Sequence, residues 1–136
     1  MTKDFKLEEF IYSRFYEEAG VQDRVIESYE SDEQVKANLQ ELAEQVQVIR
    51  DAIKTPIKIN IAYRPKWWEL KRGRSGTSQH CLGKAADIYA PKLTILELYK
   101  VIQGLIAQGK IRNGGLGLYN TFIHYDIRQT PARWRK

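Results

Sequence analysis

The first strongly patterned stretch is "LEEFIYSRFYEEAG", residues 7 to 20. Leu7, Phe10, Ile11 and Phe15 fall close to helical spacing and Gly20 closes the run, which predicts one helix. The residues from there to Glu30 are mostly polar and read as a connection with at most a short turn. Ser31 followed by Gln34 then forms a capping-box pattern. Behind it Val35, Leu39, Leu42, Val46, Ile49 and Ile53 step by four and three. That spacing predicts a long amphipathic helix with a core-facing stripe, closed near Thr55–Pro56.

The period then changes. In "IKINIAY" (57 to 63) Ile57, Ile59, Ile61 and Tyr63 alternate with Lys58, Asn60 and Ala62, predicting a strand with one buried face. Pro65 and "KRGRSGTS" predict a long loop, broken once more at Gly83, and "KAADIYA" predicts a short strand ended by Pro91. "TILELYKVIQGLIAQG" (94 to 109) predicts a helix with Thr94 and Glu97 as a capping box and Gly109 near its end. "GGLGLY" and "FIHYDIR" predict two strands joined tightly around Asn120–Thr121. Helices first and short, hairpin-linked strands after them predict an α+β fold: a small, mainly antiparallel sheet with flanking helices.

A chain of 136 residues is the size of one domain, taken as 1–136, with room for a core. Cys81 is the only cysteine, so no intrachain disulfide is expected. It adjoins His80, but neighbours in a strand point apart, and a plain, partly buried cysteine is expected rather than a nucleophile. The apolar runs fall far short of the roughly 20 residues that span a bilayer, and "MTKDFKLEEF" lacks the apolar stretch of a secretory signal. The expectation is a monomer without membrane insertion, made in the cytoplasm and acting elsewhere only by a route the sequence does not encode.

The net charge of +5 suits an acidic partner such as nucleic acid, an anionic cell wall or a phosphate-rich surface. Basic residues are densest in "RPKWWELKRGR" (64 to 74) and "ARWRK", which a solvated loop and a frayed tail explain equally well. No nucleic-acid motif is present, so no nucleic-acid partner is expected. Trp67–Trp68 reads either as an anchor for the loop or as an aromatic cleft wall, and Trp134 as either lid or packing.

Only two histidines occur, His80 in "SGTSQHCLGKAADIY" and His124 in "TFIHYDIR". Zinc commonly takes two histidines and a carboxylate, with a water in the fourth position of a catalytic site. His80, Asp87 and His124 could supply that set. The gap from His80 to Asp87 is too long for one helical face and suits a loop residue and a strand residue joined by a turn at Gly83. His124 would come from the neighbouring strand. On residue types alone, Asp87 could equally be an ordinary strand-edge carboxylate.

"SQHCLGKAAD" resembles the SxHxxGxAxD motif of the zinc D-Ala-D-Ala carboxypeptidase family of murein peptidases, with Ser78, His80, Gly83, Ala85 and Asp87 in register. This is the peptidase M15 family, and the resemblance is to one branch of it, subfamily A. "IAYRP" resembles the family's "SGYRS" element, "GGLGLYNTFIHYDIR…RW" resembles the "GxGxYxxFxHxDxR…RW" ending of that branch, and "FKLEEFI" resembles its opening. The resemblance implies a hedgehog/DD-peptidase-like fold and a Zn2+ ion held by His80, Asp87 and His124. It places Arg64 over the substrate carbonyl, where it would stabilise the developing oxyanion, and Ser78 in the substrate cleft. It implies hydrolysis of peptidoglycan stem peptides or cross-links. The absence of a signal-peptide pattern and of a separate wall-binding module leads to the expectation of a phage lytic or virion-associated enzyme. The rival reading is a non-catalytic, metal-stabilised cell-wall-binding or assembly module on the same fold.

One departure matters. Relatives carry a glutamate three residues before the last histidine as general base, and that position here is Thr121. Asp126 is the nearest substitute, on the same strand face as His124 and about 7 Å along the backbone. It could accept the proton, hold the His124 imidazole in its working tautomer, or pair with an arginine.

Overall fold

Five strands form one sheet in the computed structural model, which describes residues 1–136. They are β1 (Lys58–Ile61), β2 (Ala85–Tyr89), β3 (Gly115–Leu118), β4 (Ile123–Asp126) and β5 (Ala132–Arg135), in the order β1-β2-β4-β3-β5. Every pairing is antiparallel except β3 with β5. The helices are α1 (Glu8–Ile11), α2 (Arg14–Glu18), α3 (Gln22–Glu30), α4 (Glu33–Ile53), α5 (Lys66–Lys71) and α6 (Ile95–Ala107), so the fold is α+β. None of them is long and apolar enough to cross a membrane.

The long stripe reads as expected: Leu39, Leu42, Val46 and Ile49 of α4 are fully buried, as are Leu98 and Ile102 of α6, against which α4 packs. Each such side chain contributes roughly 1.5–3 kcal/mol of burial. Thr94 caps α6 in the expected box with Glu97. The cap of α4 is Asp32 rather than Ser31, because its carboxylate reaches both the Gln34 and Val35 amides. Lys54, in a left-handed conformation with φ 58°, ends α4.

The N-terminal reading needs correction. Residues 7–20 form two short helices, because the chain turns extended at Tyr12 and Ser13, and the Ser13 hydroxyl accepts the Phe15 amide to start α2. The polar stretch read as a connection is the nine-residue helix α3, anchored by the fully buried Val25. Inside the expected 64–84 loop lies α5, which turns Trp68 and Glu69 inward. β1 alternates over Lys58–Ile61, with Ile59 and Ile61 half-buried, but its pairing with β2 shifts between Ile59 and Ile61, and the alternation ends at Ala62 and Tyr63, which are both buried. The "ARWRK" tail is not frayed. It forms β5 along the edge of β3.

His80 sits on a short 3-10 turn (Gln79–Leu82) that Gly83 terminates with φ 74°. A Cβ at Gly83 would stand 3.0 Å from the Val35 carbonyl and 3.2 Å from Leu39, so only glycine lets the turn lie this close to α4. Asn38 of α4 clamps the turn by donating to the Leu82 carbonyl at 2.7 Å.

Candidate metal centre

β2 and β4 are adjacent and antiparallel, and their register puts Asp87 directly opposite His124. The 3-10 turn carries His80 to the same point, so ligand atoms of His80, Asp87 and His124 all lie within 4.8 Å of one another. His80 is 2 % exposed and His124 8 %. His80 Nε2 is 3.3 Å from Asp87 Oδ1, and His124 Nδ1 is 3.1 Å from the same oxygen. A tetrahedral ion with bonds of about 2.0–2.1 Å has ligand–ligand edges of about 3.3 Å, so the spacing fits zinc.

The far nitrogens fix the tautomers. His80 Nδ1 lies 2.6 Å from the Ala62 carbonyl, which can only accept, so Nδ1 carries the proton and Nε2 presents its lone pair. His124 Nε2 donates to Asp126 Oδ2 at 2.7 Å, which leaves the Nδ1 lone pair facing Asp87. Two lone pairs and a carboxylate oxygen converging on one point repel unless a cation lies between them. Without a metal the place falls to a proton. Burial lowers the His124 pKa, but its bonds to Asp126 and Asp87 outweigh burial and raise it. Burial likewise pushes the Asp87 carboxyl up, and the two histidines bring it well below the usual carboxylate range. The donor set and its outer partners fit a resident zinc ion.

Asp126 is wholly buried and fully engaged. Besides His124, it accepts the Gly115 amide at 2.9 Å, the Arg128 amide at 3.1 Å, Arg128 Nε at 2.8 Å and Arg128 Nη2 at 2.7 Å. Burial would raise its pKa, yet the Arg128 and His124 hydrogen bonds hold it well below the ordinary carboxylate range. Thr121 lies exposed on the β3–β4 turn.

Arg64 and Ser78 meet at a residue that the sequence reading passed over. Glu69 of α5 is 2 % exposed; its Oε2 accepts the Ser78 hydroxyl at 2.5 Å and stands 3.1 Å from Arg64 Nε. The Arg64 contact is an ion pair without the alignment of a hydrogen bond. The Arg64 amide donates to the His80 carbonyl at 3.1 Å, tying the arginine to the ligand turn. Burial raises the Glu69 pKa, but the Ser78 and Cys81 hydrogen bonds and the charge of Arg64 bring it below its usual value. Cys81 is pushed up to about 11, by burial first and by Glu69, and stays a thiol at neutral pH. A buried charge with a nonlocal partner was the signal for Glu69, and it is invisible in a single chain pattern.

The three ligands open onto a cleft of about 630 Å³ that Arg64, Ser78, Arg128, Tyr119 and Trp134 also line. Tyr119 stacks on Phe122 with ring centroids 4.3 Å apart, and its hydroxyl accepts Trp134 Nε1 at 3.0 Å. Trp134 in turn leans on the His124 ring at 4.9 Å. Trp67 and Trp68 do not line this cleft: Trp67 donates to Ser28 under the Arg24 guanidinium, and Trp68 packs edge-on against Tyr16. Asp87 is the only carboxylate lining the cleft.

Compared with known proteins, the chain matches the family model described as Peptidase M15 over residues 3–126. No curated protein and no solved structure matches it.

Proposed function

This chain belongs to the peptidase M15 family, and on that premise we propose that it is a zinc-dependent metallopeptidase cleaving peptidoglycan stem peptides or their cross-links. The observation that carries the reading is the convergence of His80 Nε2, His124 Nδ1 and Asp87 Oδ1, with both imidazoles locked in the ligating tautomer. Zinc, when bound, supplies the Lewis acidity that polarises an amide carbonyl and acidifies an attacking water.

The chain's own residues supply the rest. Arg64, held by Glu69 and by the His80 carbonyl, is the fixed cation for the carbonyl oxygen as negative charge builds on it. Ser78 lines the cleft and binds substrate through its oxygen, its proton being committed to Glu69. Asp126 acts as the orienting partner of His124 rather than as proton acceptor, because five donors already occupy its two oxygens and its pKa is depressed. With Thr121 in place of a basic side chain, solvent in the open cleft takes the proton. A positioned base contributes about 10²–10⁴-fold, so slow turnover is expected.

The lack of a free carboxylate on the cleft also favours a second reading, a metal-stabilised wall-binding module without turnover. One experiment separates the two. The purified protein should carry one zinc per chain and release product from a defined stem peptide, and His80→Ala should lose both. One tightly held zinc with no product under single-turnover conditions selects the second reading. Unchanged zinc binding by His80→Ala rejects the site.

A further inference from the structure

Beside the metal cleft lies a second concavity of about 220 Å³, lined by Arg64, Arg72, Arg74, Glu69, Trp68 and Phe15 among others. It shares Arg64 and Arg74 with the cleft, so the two concavities are neighbours. Pockets that hold a whole small ligand usually measure about 300–1,000 Å³. The second basin is therefore the size of a subsite, one that receives a single side group of something bound next door.

Its charge is one-sided. The sole acid, Glu69, is 2 % exposed and already engaged by Ser78 and Arg64. Arg72 and Arg74 have no acidic partner within ion-pair distance, although both are exposed. They are not on a free tail. The Arg72 amide donates to the Trp68 and Glu69 carbonyls, the Arg74 amide donates to the Glu69 carbonyl at 2.9 Å, and the Arg72 guanidinium lies 5.4 Å above the Trp68 ring. The turn after α5 thus brings two uncompensated cations to a basin that Trp68 and the exposed Phe15 ring also line, with Arg72 above the Trp68 ring. A cationic rim on an apolar floor selects a carboxylate carried on a short aliphatic arm.

We infer that this basin is a specificity subsite for the free carboxylate of an acidic residue in the same peptide whose scissile amide lies at the metal cleft, bound by Arg72 and Arg74. The inference rests on the peptidase reading above. In a test peptide the group concerned is the free carboxylate of one acidic residue near the scissile amide.

Two stem pentapeptides identical except for that carboxylate or its carboxamide test it. Their binding is measured by calorimetry, and their cleavage is followed in parallel. The native protein should bind the acid about fivefold to tenfold more tightly, as expected for partly exposed charge pairs. That ratio should shrink toward one in high salt. The variant Arg72→Gln, at the arginine of the pair that lies outside the metal cleft, should bring the acid-to-amide ratio down at least about twofold, with zinc content and amide-peptide kcat unchanged. Equal binding of the two peptides by the native protein overturns the inference, as does a preference left undiminished in Arg72→Gln. Because binding is read without turnover, an inactive protein that still prefers the acid refutes the peptidase reading and leaves the subsite standing.

Discussion

Replacing Asp126 with asparagine changes one atom and reverses a hydrogen bond that decides which nitrogen of His124 is free. Oδ1 of Asp126 accepts three donors, the Gly115 amide and the Arg128 amide and Nε, while Oδ2 accepts two, His124 Nε2 and Arg128 Nη2. The asparagine oxygen will take the three-donor position, since the reverse orientation sets an NH2 against three N–H groups. Its NH2 then faces His124 Nε2–H and Arg128 Nη2–H. The imidazole relieves the contact by moving its proton to Nδ1, and that removes the lone pair aimed at Asp87.

Zinc must then bind against one lost charge-assisted hydrogen bond, about 1.5–3 kcal/mol, or roughly 10–150-fold in Kd. That agrees with the roughly 10–100-fold typical of partners behind a metal-bound histidine. Folding stability should fall by about 1–3 kcal/mol, less than for a fully buried pair because the Arg128 side chain is 30 % exposed and can reach water. Competition with a chromophoric chelator gives Kd, nitrogen-15 spectra of the imidazoles report the tautomer, and kcat is measured at saturating zinc. An Asp126→Asn protein with unchanged zinc affinity and kcat reduced about 100-fold would make Asp126 the base and refute the orienting role. No change in either quantity would remove Asp126 from the chemistry.

Glu69→Gln should cost about 2–4 kcal/mol at pH 7, because it strips the counter-charge from Arg64 in a site with little water. The folded pKa of Glu69 is lowered, so its contribution is present above the unfolded value near 4.3 and is lost as pH falls through the folded value. Denaturant melts at pH 7 and at successively lower pH should therefore show the difference between the two proteins shrinking steadily once the pH falls below the unfolded value; a loss that stays the same at every pH would contradict the charge argument. Gly115→Ala should weaken zinc binding at least about tenfold, since its Cβ would overlap the Asp126 carboxylate. Gly104→Ala, whose Cβ meets nothing on α6, should instead stabilise the fold by about 0.5–1 kcal/mol; loss of zinc affinity in both proteins would point to a general disturbance.

Long elements were legible because their periodicity is enforced by burial along their whole length. α4 and α6 each bury a continuous stripe, and β2 and β4 pair in the register that joins the two rare histidines through Asp87. The misses share a physical cause. α3 has a single fully buried residue, α5 spans six residues after a proline with no side-chain cap, and β5 is half-exposed and exists only through its pairing with β3. Nothing local distinguishes such segments from loops. The same holds for Glu69, whose burial depends on Arg64 and on Ser78 nine residues away. Arg128 was closer to hand, since residues two apart on a strand share a face and the alternation put His124, Asp126 and Arg128 together.

The glycines of "GGLGLY" connect that strand pattern to the cleft. Along β3, Leu116 and Leu118 turn into the core, which leaves Gly115 and Gly117 on the face that carries the histidines. Gly115 pairs with Asp126, and Gly117 pairs with His124 on one side and Trp134 on the other. A Cβ on the first would strike the Asp126 carboxylate, and a Cβ on the second would strike the Trp134 indole. The first space serves the ion, because Asp126 sets the His124 tautomer. The second does not. It lets Trp134 lie across β3 onto the His124 ring, where Tyr119 holds its Nε1 and its other face forms a wall of the cleft. A site that existed only to stabilise the fold with metal would need the Gly115 space alone. The Gly117 space shapes the volume in front of the candidate metal centre, which favours a cleft built to receive a molecule.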